Sequence, residues 1–397
     1  MAGIAALAVG YVLSQFYRSF MAVLTPALTA ELGMTKAQLS VASGAWFIAF
    51  SLAQFVIGVS LDRYGPRRTA SIMLAIGGAG GALLFSLATA PWMVIAAMAL
   101  IGIGCAPVLM SSFIIFARNH SPARFAVLAS WMVAVGTAGN VIGASPLAAA
   151  AEAFGWRPVM AMLGVFTLVT ALAVAILLRD PKAVDAPSRS TGFAGYLELL
   201  RLRLLWPLIP LMALHMAPMN GIRGLWAGPY LADVYGADPL LIGNVTLFMA
   251  LAMVAGSFIY GPLDTLFRTR KWVALAGSSV SVIALAVLAF NPMAGIPATT
   301  VIFVVIGLAG SSFGLLMAHV RAFVPAHMTG RGVTLMNFFG IGGVGMIQFA
   351  TGGIVTASTV PGDPAAAYSA LFTFYAAAVG IALLIYLFAK DARPERA

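Results

Sequence analysis

The chain has 397 residues, of which 61% are hydrophobic and only 9% are Asp, Glu, Lys or Arg. A soluble globular chain carries about 25% charged residues, so these are too few to coat a water-facing surface, and the mean hydropathy of +1.00 agrees. A soluble enzyme, a disordered chain and a nucleic-acid-binding domain are excluded at this step. The formal charge of +10 has to be placed along the chain before it is read as a polyanion footprint.

A helix needs about 20 mostly apolar residues to cross a bilayer. Taken in chain order, such runs fall at 5–28, 38–61, 68–89, 92–117, 125–148, 157–178, 206–231, 240–263, 272–291, 298–320, 333–356 and 367–389. The sequence therefore predicts an all-α membrane protein with twelve transmembrane helices. The first run has no basic n-region and is too long for an h-region, so it reads as a span and not as a cleavable signal peptide. Gly77, Gly78, Gly80 and Gly81 fall inside the third run, where small residues let helices approach closely. Cys105 is the single cysteine. It forms no internal disulfide and reads as a small buried hydrophobe.

An even number of spans puts both termini on one side. With the termini inside, 18 of the 22 basic residues fall on inner loops, among them Arg63, Arg67, Arg68, Arg268, Arg270 and Lys271. Only Lys36 and Arg157 fall outside. The positive-inside rule then sets both termini in the cytoplasm. Arg18 and Arg223 remain, both inside predicted spans. All 12 acids flank the spans and none lies at membrane depth.

The longest hydrophilic stretch, 180–205, reads as a cytoplasmic linker. Its part from Gly195 to Leu205 alternates Leu with Glu198, Arg201 and Arg203, which suits a short amphipathic helix on the inner surface. Six spans precede it within 1–179 and six follow within 206–397. The halves repeat weakly. Asp62 ends the second span and Asp264 the eighth, each followed by basic residues that open the next helix. Arg18 with Pro26 in the first span parallels Arg223 with Pro229 in the seventh. Repeated halves are a transporter signature.

Gly58, Asp62, Arg63, Gly65, Arg67 and Arg68 match the pattern G-x-x-x-D-R-x-G-x-R-R between spans 2 and 3. In this the chain resembles the major facilitator superfamily, and the six-linker-six plan extends the resemblance over nearly the whole chain. The resemblance implies two pseudo-symmetric six-helix bundles, a substrate cavity between them and alternating access. It implies a gating role for the motif, with Asp62 holding the closed cytoplasmic side and Asp264 its counterpart. The plain alternative is that the arginines only set topology. The resemblance also implies an integral protein of a bacterial inner (plasma) membrane, working as a monomer.

Tyr17, Arg18, Phe20, Pro26 and Leu28 further resemble the organophosphate:phosphate antiporter group, in which an Arg eight residues before the Pro binds the anion. Arg18 stands eight before Pro26. Arg223, Trp226 and Pro229 follow the seventh-span pattern of that group, with Arg223 six before the Pro.

An Arg at the bilayer centre costs about 2.5–3.5 kcal/mol on insertion scales, so it faces water or an anion. Guanidinium pairs bidentately with carboxylate or phosphate. Backbone carbonyls or snorkelling are the alternatives, harder for Arg18 near mid-span than for Arg223. Tyr11, Ser14, Arg18, Ala22 and Thr25 share one helical face, with Gln15 beside it. His215, Met219, Arg223, Trp226 and Tyr230 share another, with Asn220 adjacent. Trp226 and Tyr230 equally suit an interfacial aromatic belt. Asn140 and Asn337 occupy the matching spans 5 and 11. The candidate substrate contacts are therefore Tyr11, Gln15, Tyr17, Arg18, Asn140, His215, Asn220, Arg223, Trp226 and Asn337. Ser111, Ser112, Trp131, Thr137, Asn244 and Gln348 are lesser candidates, for which helix–helix hydrogen bonding is the plain reading.

These features predict a secondary transporter of a small organic anion, a carboxylate or a phosphate ester, partnered only by its substrate and the bilayer, with no nucleic acid. No acid lies in a span to carry a coupled proton. His215 is the titratable group on the proposed face, and a structural hydrogen bond is its other reading. Two further functions remain open. One is efflux of lipophilic compounds. The other is uptake of a metal or metal chelate, on the strength of Met212 with Met216 and Met249 with Met253; Met stripes also arise from packing. No cofactor, resident metal or catalytic residue is expected, and no Gly-x-x-x-x-Gly-Lys-Ser/Thr segment is present.

Overall fold

The computed structural model describes residues 2–119, 122–180, 194–325 and 328–392. Lys182, Asp185 and Arg189 of the predicted linker lie outside the described residues, as do Arg393, Glu395 and Arg396.

Among the described residues nine helices are long and apolar enough to cross a membrane. They are Lys36–Leu61, Arg63–Ser86, Pro91–Asn119, Trp156–Leu177, Pro239–Phe267, Lys271–Phe290, Ile296–Arg321, Gly332–Ala357 and Pro364–Tyr386. Their ends follow local chemistry. Thr35 and Gln38 form a reciprocal capping box that opens the second span. Pro91, Pro239 and Pro364 each open a helix, where a missing N–H costs nothing. Asp363 accepts from the Ala365 and Ala366 amides at the start of the last helix. Ile76, Ile176, Phe258 and Phe388 present 67–85% of their surface to the surroundings, which suits a protein solvated by lipid.

Three predicted spans are not among these nine. The first is Ala2–Tyr17 followed by Met21–Leu32, bent by 53°. The fifth is Trp131–Ile142 followed by Ser145–Phe154, bent by 42°. The seventh is divided into Ile209–Leu214, Ala217–Gly221, a π-helical turn Ile222–Trp226 and Ala227–Tyr235. Pro210, Pro218 and Pro229 each withdraw an N–H from that run.

Two compact units emerge. Unit 1 comprises Met1–Ala186, Gly224–Pro229 and Ala237–Leu247; unit 2 comprises Pro187–Arg223, Tyr230–Gly236 and Phe248–Ala397. In unit 1 the third span carries a π-helical segment, Leu74–Ala79, pressed against Pro91–Cys105. A Cβ on Gly77 would stand 2.6 Å from the Gly104 amide nitrogen, and one on Gly81 2.9 Å from the Ala97 carbonyl oxygen. Those two glycines are packing positions as predicted. Gly80 has only a distant neighbour. Beside them Leu7, Leu74, Val108 and Val174 form a closed apolar cluster.

Unit 2 has its own core, with Leu211, Met212, Leu316, Met336 and Tyr386 fully enclosed. The predicted amphipathic segment is Ala194–Leu200 followed by a 3₁₀ turn, Arg203–Leu205. Its Leu199 and Leu205 are buried in that core, so its apolar side is spent on the protein. Tyr230 also belongs to this unit. It is fully buried, and its hydroxyl donates to the Pro292 carbonyl at 2.6 Å, fixing the turn after Lys271–Phe290.

Candidate substrate site around Arg18

The break in the first span places Arg18. The Ser19 amide bonds back to the Phe16 carbonyl at 3.0 Å, and the Ser19 hydroxyl donates to the Gln15 and Phe16 carbonyls. Such back-bonding bends helices. Pro26 has no N–H to give the Ala22 carbonyl, and the Thr25 hydroxyl supplies that bond instead at 2.9 Å. Arg18 is the first residue of the break and not, as the spacing predicts, a point on a continuous helical stripe.

Arg18 is half-buried. Its guanidinium carbon lies 5.1 Å from the Trp46 ring centroid and 5.7 Å from that of Phe50. Those rings stack on each other at 5.0 Å and 21°. Among the described residues no carboxylate pairs with Arg18, and its buried Nε has no hydrogen-bond partner. The Trp46 indole N–H is likewise buried without a partner. Tyr11 and Cys105 lie near the Arg18 guanidinium, and Gln15 Nε2 donates to the Tyr11 hydroxyl at 3.0 Å. Unit 1 therefore gathers Tyr11, Gln15 and Arg18. Tyr17 is not part of this group. Its ring is wholly enclosed and its hydroxyl shares a 2.9 Å hydrogen bond with Thr167, because one step along a helix turns the side chain by about 100°.

The candidates of the seventh span divide. His215 Nδ1 lies 2.9 Å from the Leu211 carbonyl and 3.1 Å from that of Met212. Both neighbours are acceptors, so Nδ1 carries the proton and donates, capping carbonyls at the end of Ile209–Leu214. Nε2 is buried and unpartnered among the described residues. Asn220 donates to the Met216 carbonyl. Arg223 sits on the π-helical turn, is 2% exposed and is already engaged within the described residues. Trp226 is 1% exposed. Asn140 is buried and Asn337 half-buried. Asn244 accepts from the Ser145 hydroxyl at 2.8 Å. Met212 and Met249 are fully buried.

The loop motif is also partly visible. The Asp62 side chain lies outside the described part of the structure. Gly58 has open space around it, Arg63 stacks on Tyr64 and Arg68 is exposed. Gly65 breaks the helix at φ 81° and ψ 163°. The Arg67 amide donates to Asp180 Oδ1 at 2.7 Å, and its guanidinium Nε donates to the Ala175 carbonyl. In unit 2, Asp264 pairs with Arg270 at 3.1 Å. The Lys271 amide donates to Asp391 Oδ1 at 3.0 Å, and the Thr269 hydroxyl donates to Asp391 Oδ2 at 2.7 Å. Burial pushes the Asp391 carboxyl up. The Thr269 hydroxyl, the Lys271 amide, the His319 ring and the Arg270 amide together outweigh it and hold that carboxyl below the ordinary range.

Sequence reasoning missed Trp46, Phe50, Asp180 and Asp391. The signal for the acids was present: a basic–acidic pair closes the last span of each half, Arg179–Asp180 and Lys390–Asp391.

The architecture is that of a polytopic helical membrane protein with repeated halves. Residues 7–222 match the Major Facilitator Superfamily, and the chain belongs to that family. It is 25% identical over 294 residues to the membrane sensor protein UhpC of Salmonella typhimurium, an alignment spanning 66% of this chain and 64% of the relative. UhpC of Escherichia coli is 24% identical over the same shares. The chain therefore spans just under two thirds of these relatives' length. Among solved structures, a bacterial homologue of the human lysosomal transporter Spinster aligns with a TM-score of 0.76 at 19% identity, covering 97% of this chain and 96% of that one. The nucleoside transporter NupG aligns at 0.76 and 13% identity over 98% of each chain. A D-xylose-proton symporter aligns at 0.75 and 14% identity, over 98% of this chain and 97% of that one. At these identities the structural likeness speaks for the fold. The proteins so named are transporters and a sensor, not enzymes.

Proposed function

We propose that the protein is a secondary transporter of a small organic anion, working by alternating access, and that Arg18 binds the anion. The observation that carries this reading is a half-buried guanidinium at a helix break that no described acid neutralises, held only against aromatic faces. A lone cation at membrane depth is costly, and an anionic ligand relieves that cost through charge-assisted bonds. The loop residues Gly58, Asp62, Arg63, Gly65, Arg67, Arg68 and Asp264 serve gating. The uneven placement of Lys and Arg supports both termini in the cytoplasm, and the bacterial relatives support an inner membrane.

The test is a thermal-shift screen of the purified protein against carboxylates, phosphate esters and inorganic anions. A stabilising anion should lose at least tenfold in affinity in Arg18→Ala, the scale of a lost charged hydrogen bond. Arg18→Lys should restore binding only in part, since ammonium offers no fork. An anion that binds Arg18→Ala as tightly as the native protein overturns the assignment. A second reading, a membrane sensor, is favoured by the UhpC relatives. Uptake of the same anion into proteoliposomes separates the two, because a sensor binds without net flux.

A further inference from the structure

This step rests on Arg18 being the anion site and narrows what the anion is. The Arg18 guanidinium carbon lies 5.1 Å from the Trp46 ring centroid and 5.7 Å from that of Phe50, rings that stack on each other. A cation–π contact of this kind uses the charge and leaves N–H groups free to donate. Beside it the Trp46 indole N–H is buried, with Trp46 0% exposed, and has no acceptor among the described residues. A buried donor without a partner is costly, and an indole nitrogen has no other hydrogen-bonding role to fall back on. Two donors thus stand unspent against one aromatic wall.

Charge decides between the anion classes. A carboxylate carries one negative charge, which Arg18 alone neutralises. A phosphate monoester carries about 1.5 to 2 at neutral pH, and the surplus would stay buried. Arg223, the other cation within a span, is 2% exposed and already engaged. The wall also offers little to a sugar. Tyr11 and Gln15 spend a bond on each other, and Trp46 and Phe50 present carbon.

We infer that the ligand is a monocarboxylate, held by the Arg18 fork and the Trp46 indole N–H. Trp46 becomes a binding residue.

Calorimetric titration of the full-length protein in micelles tests this with four probes: benzoate, acetate, benzamide and glucose 6-phosphate. In the native protein benzoate and acetate should each bind at least tenfold more tightly than glucose 6-phosphate, and benzamide should not bind. Trp46→Phe keeps a ring and removes the N–H, and should weaken benzoate about tenfold. Tighter binding of glucose 6-phosphate than of benzoate overturns the carboxylate class while leaving Arg18 as an anion site. Equal benzoate affinity in native protein and Trp46→Phe overturns the indole contact. Benzoate affinity unchanged in Arg18→Ala overturns the underlying site instead. The native-protein ranking decides the class even where a variant fails to fold.

Discussion

Gly65→Ala should be costly through two separable effects. Gly65 sits at φ 81° and ψ 163°, a region open in practice to glycine alone, and a side chain held there costs about 1–3 kcal/mol. An added Cβ would also lie 2.8 Å from Asp180 Cγ and Oδ1 and 2.9 Å from Oδ2. Asp180 is exposed and can swing away, but then the Arg67 amide loses the carboxylate that accepts from it. Losing a cap of that kind costs about 1 kcal/mol. The expected total is about 2–4 kcal/mol. Asp180→Ala alone should cost about 1 kcal/mol. The double variant should cost no more than Gly65→Ala, because the cap is lost once, which leaves a coupling of about 1 kcal/mol. Equilibrium unfolding in mixed micelles measures all three. Strict additivity, or a Gly65→Ala cost near zero, would refute the reasoning.

Two further outcomes follow from unit 2. The folded-state pKa of Asp391 is depressed. Its contribution is therefore complete above the unfolded carboxylate value of about 3.9 and is lost as pH falls through the folded value. Asp391→Asn should remove that part of the acid sensitivity below about pH 4 in thermal unfolding, and an identical pH profile in the variant would contradict it. His319 Nε2 donates to the Lys390 carbonyl at 2.9 Å and Nδ1 accepts from the Tyr386 hydroxyl at 2.6 Å. His319→Ala strands a buried hydroxyl and should lower stability by about 2–4 kcal/mol. Adding Tyr386→Phe should recover part of that loss, as read from the same unfolding curves.

Long spans were legible because charge brackets them. The predicted 272–291 appears as Lys271–Phe290 and the predicted 157–178 as Trp156–Leu177, each opening at a basic residue or beside one. The bends were not legible as bends. Hydropathy averages across Ser19 and Thr25, whereas the chain turns there because their hydroxyls satisfy carbonyls that the helix leaves open. For the same reason Tyr11, Arg18 and Thr25 are not one stripe, although their spacing says so. Trp46 and Phe50 stand four apart in an apolar run, a spacing that ordinary packing also produces. Only the guanidinium lying over both rings distinguishes them. His215 was ambiguous between proton carrier and capping group, and its two carbonyl neighbours assign Nδ1 to capping without touching Nε2.

The loop repeat carries more information than its motif. In both halves the chain leaves a helix through a left-handed residue before the next helix opens onto a carboxylate. Unit 1 uses Gly65 at φ 81° and unit 2 uses Arg268 at φ 53°, the one non-glycine residue at positive φ among the described residues. The capped amides follow at Arg67 and Lys271, and the acids that cap them lie 113 and 120 residues further along. A motif read locally therefore misses its closing partner, since the acid sits at the far end of the same half. Arg268 accepts a conformation that costs an L-residue roughly 1–2 kcal/mol. That strain persists only where surrounding bonds over-determine the turn, and the Thr269 and Lys271 bonds to Asp391 supply them. The acid at the end of each half thus fixes where the next helix begins, and in unit 2 it also holds a left-handed turn that glycine adopts by itself in unit 1.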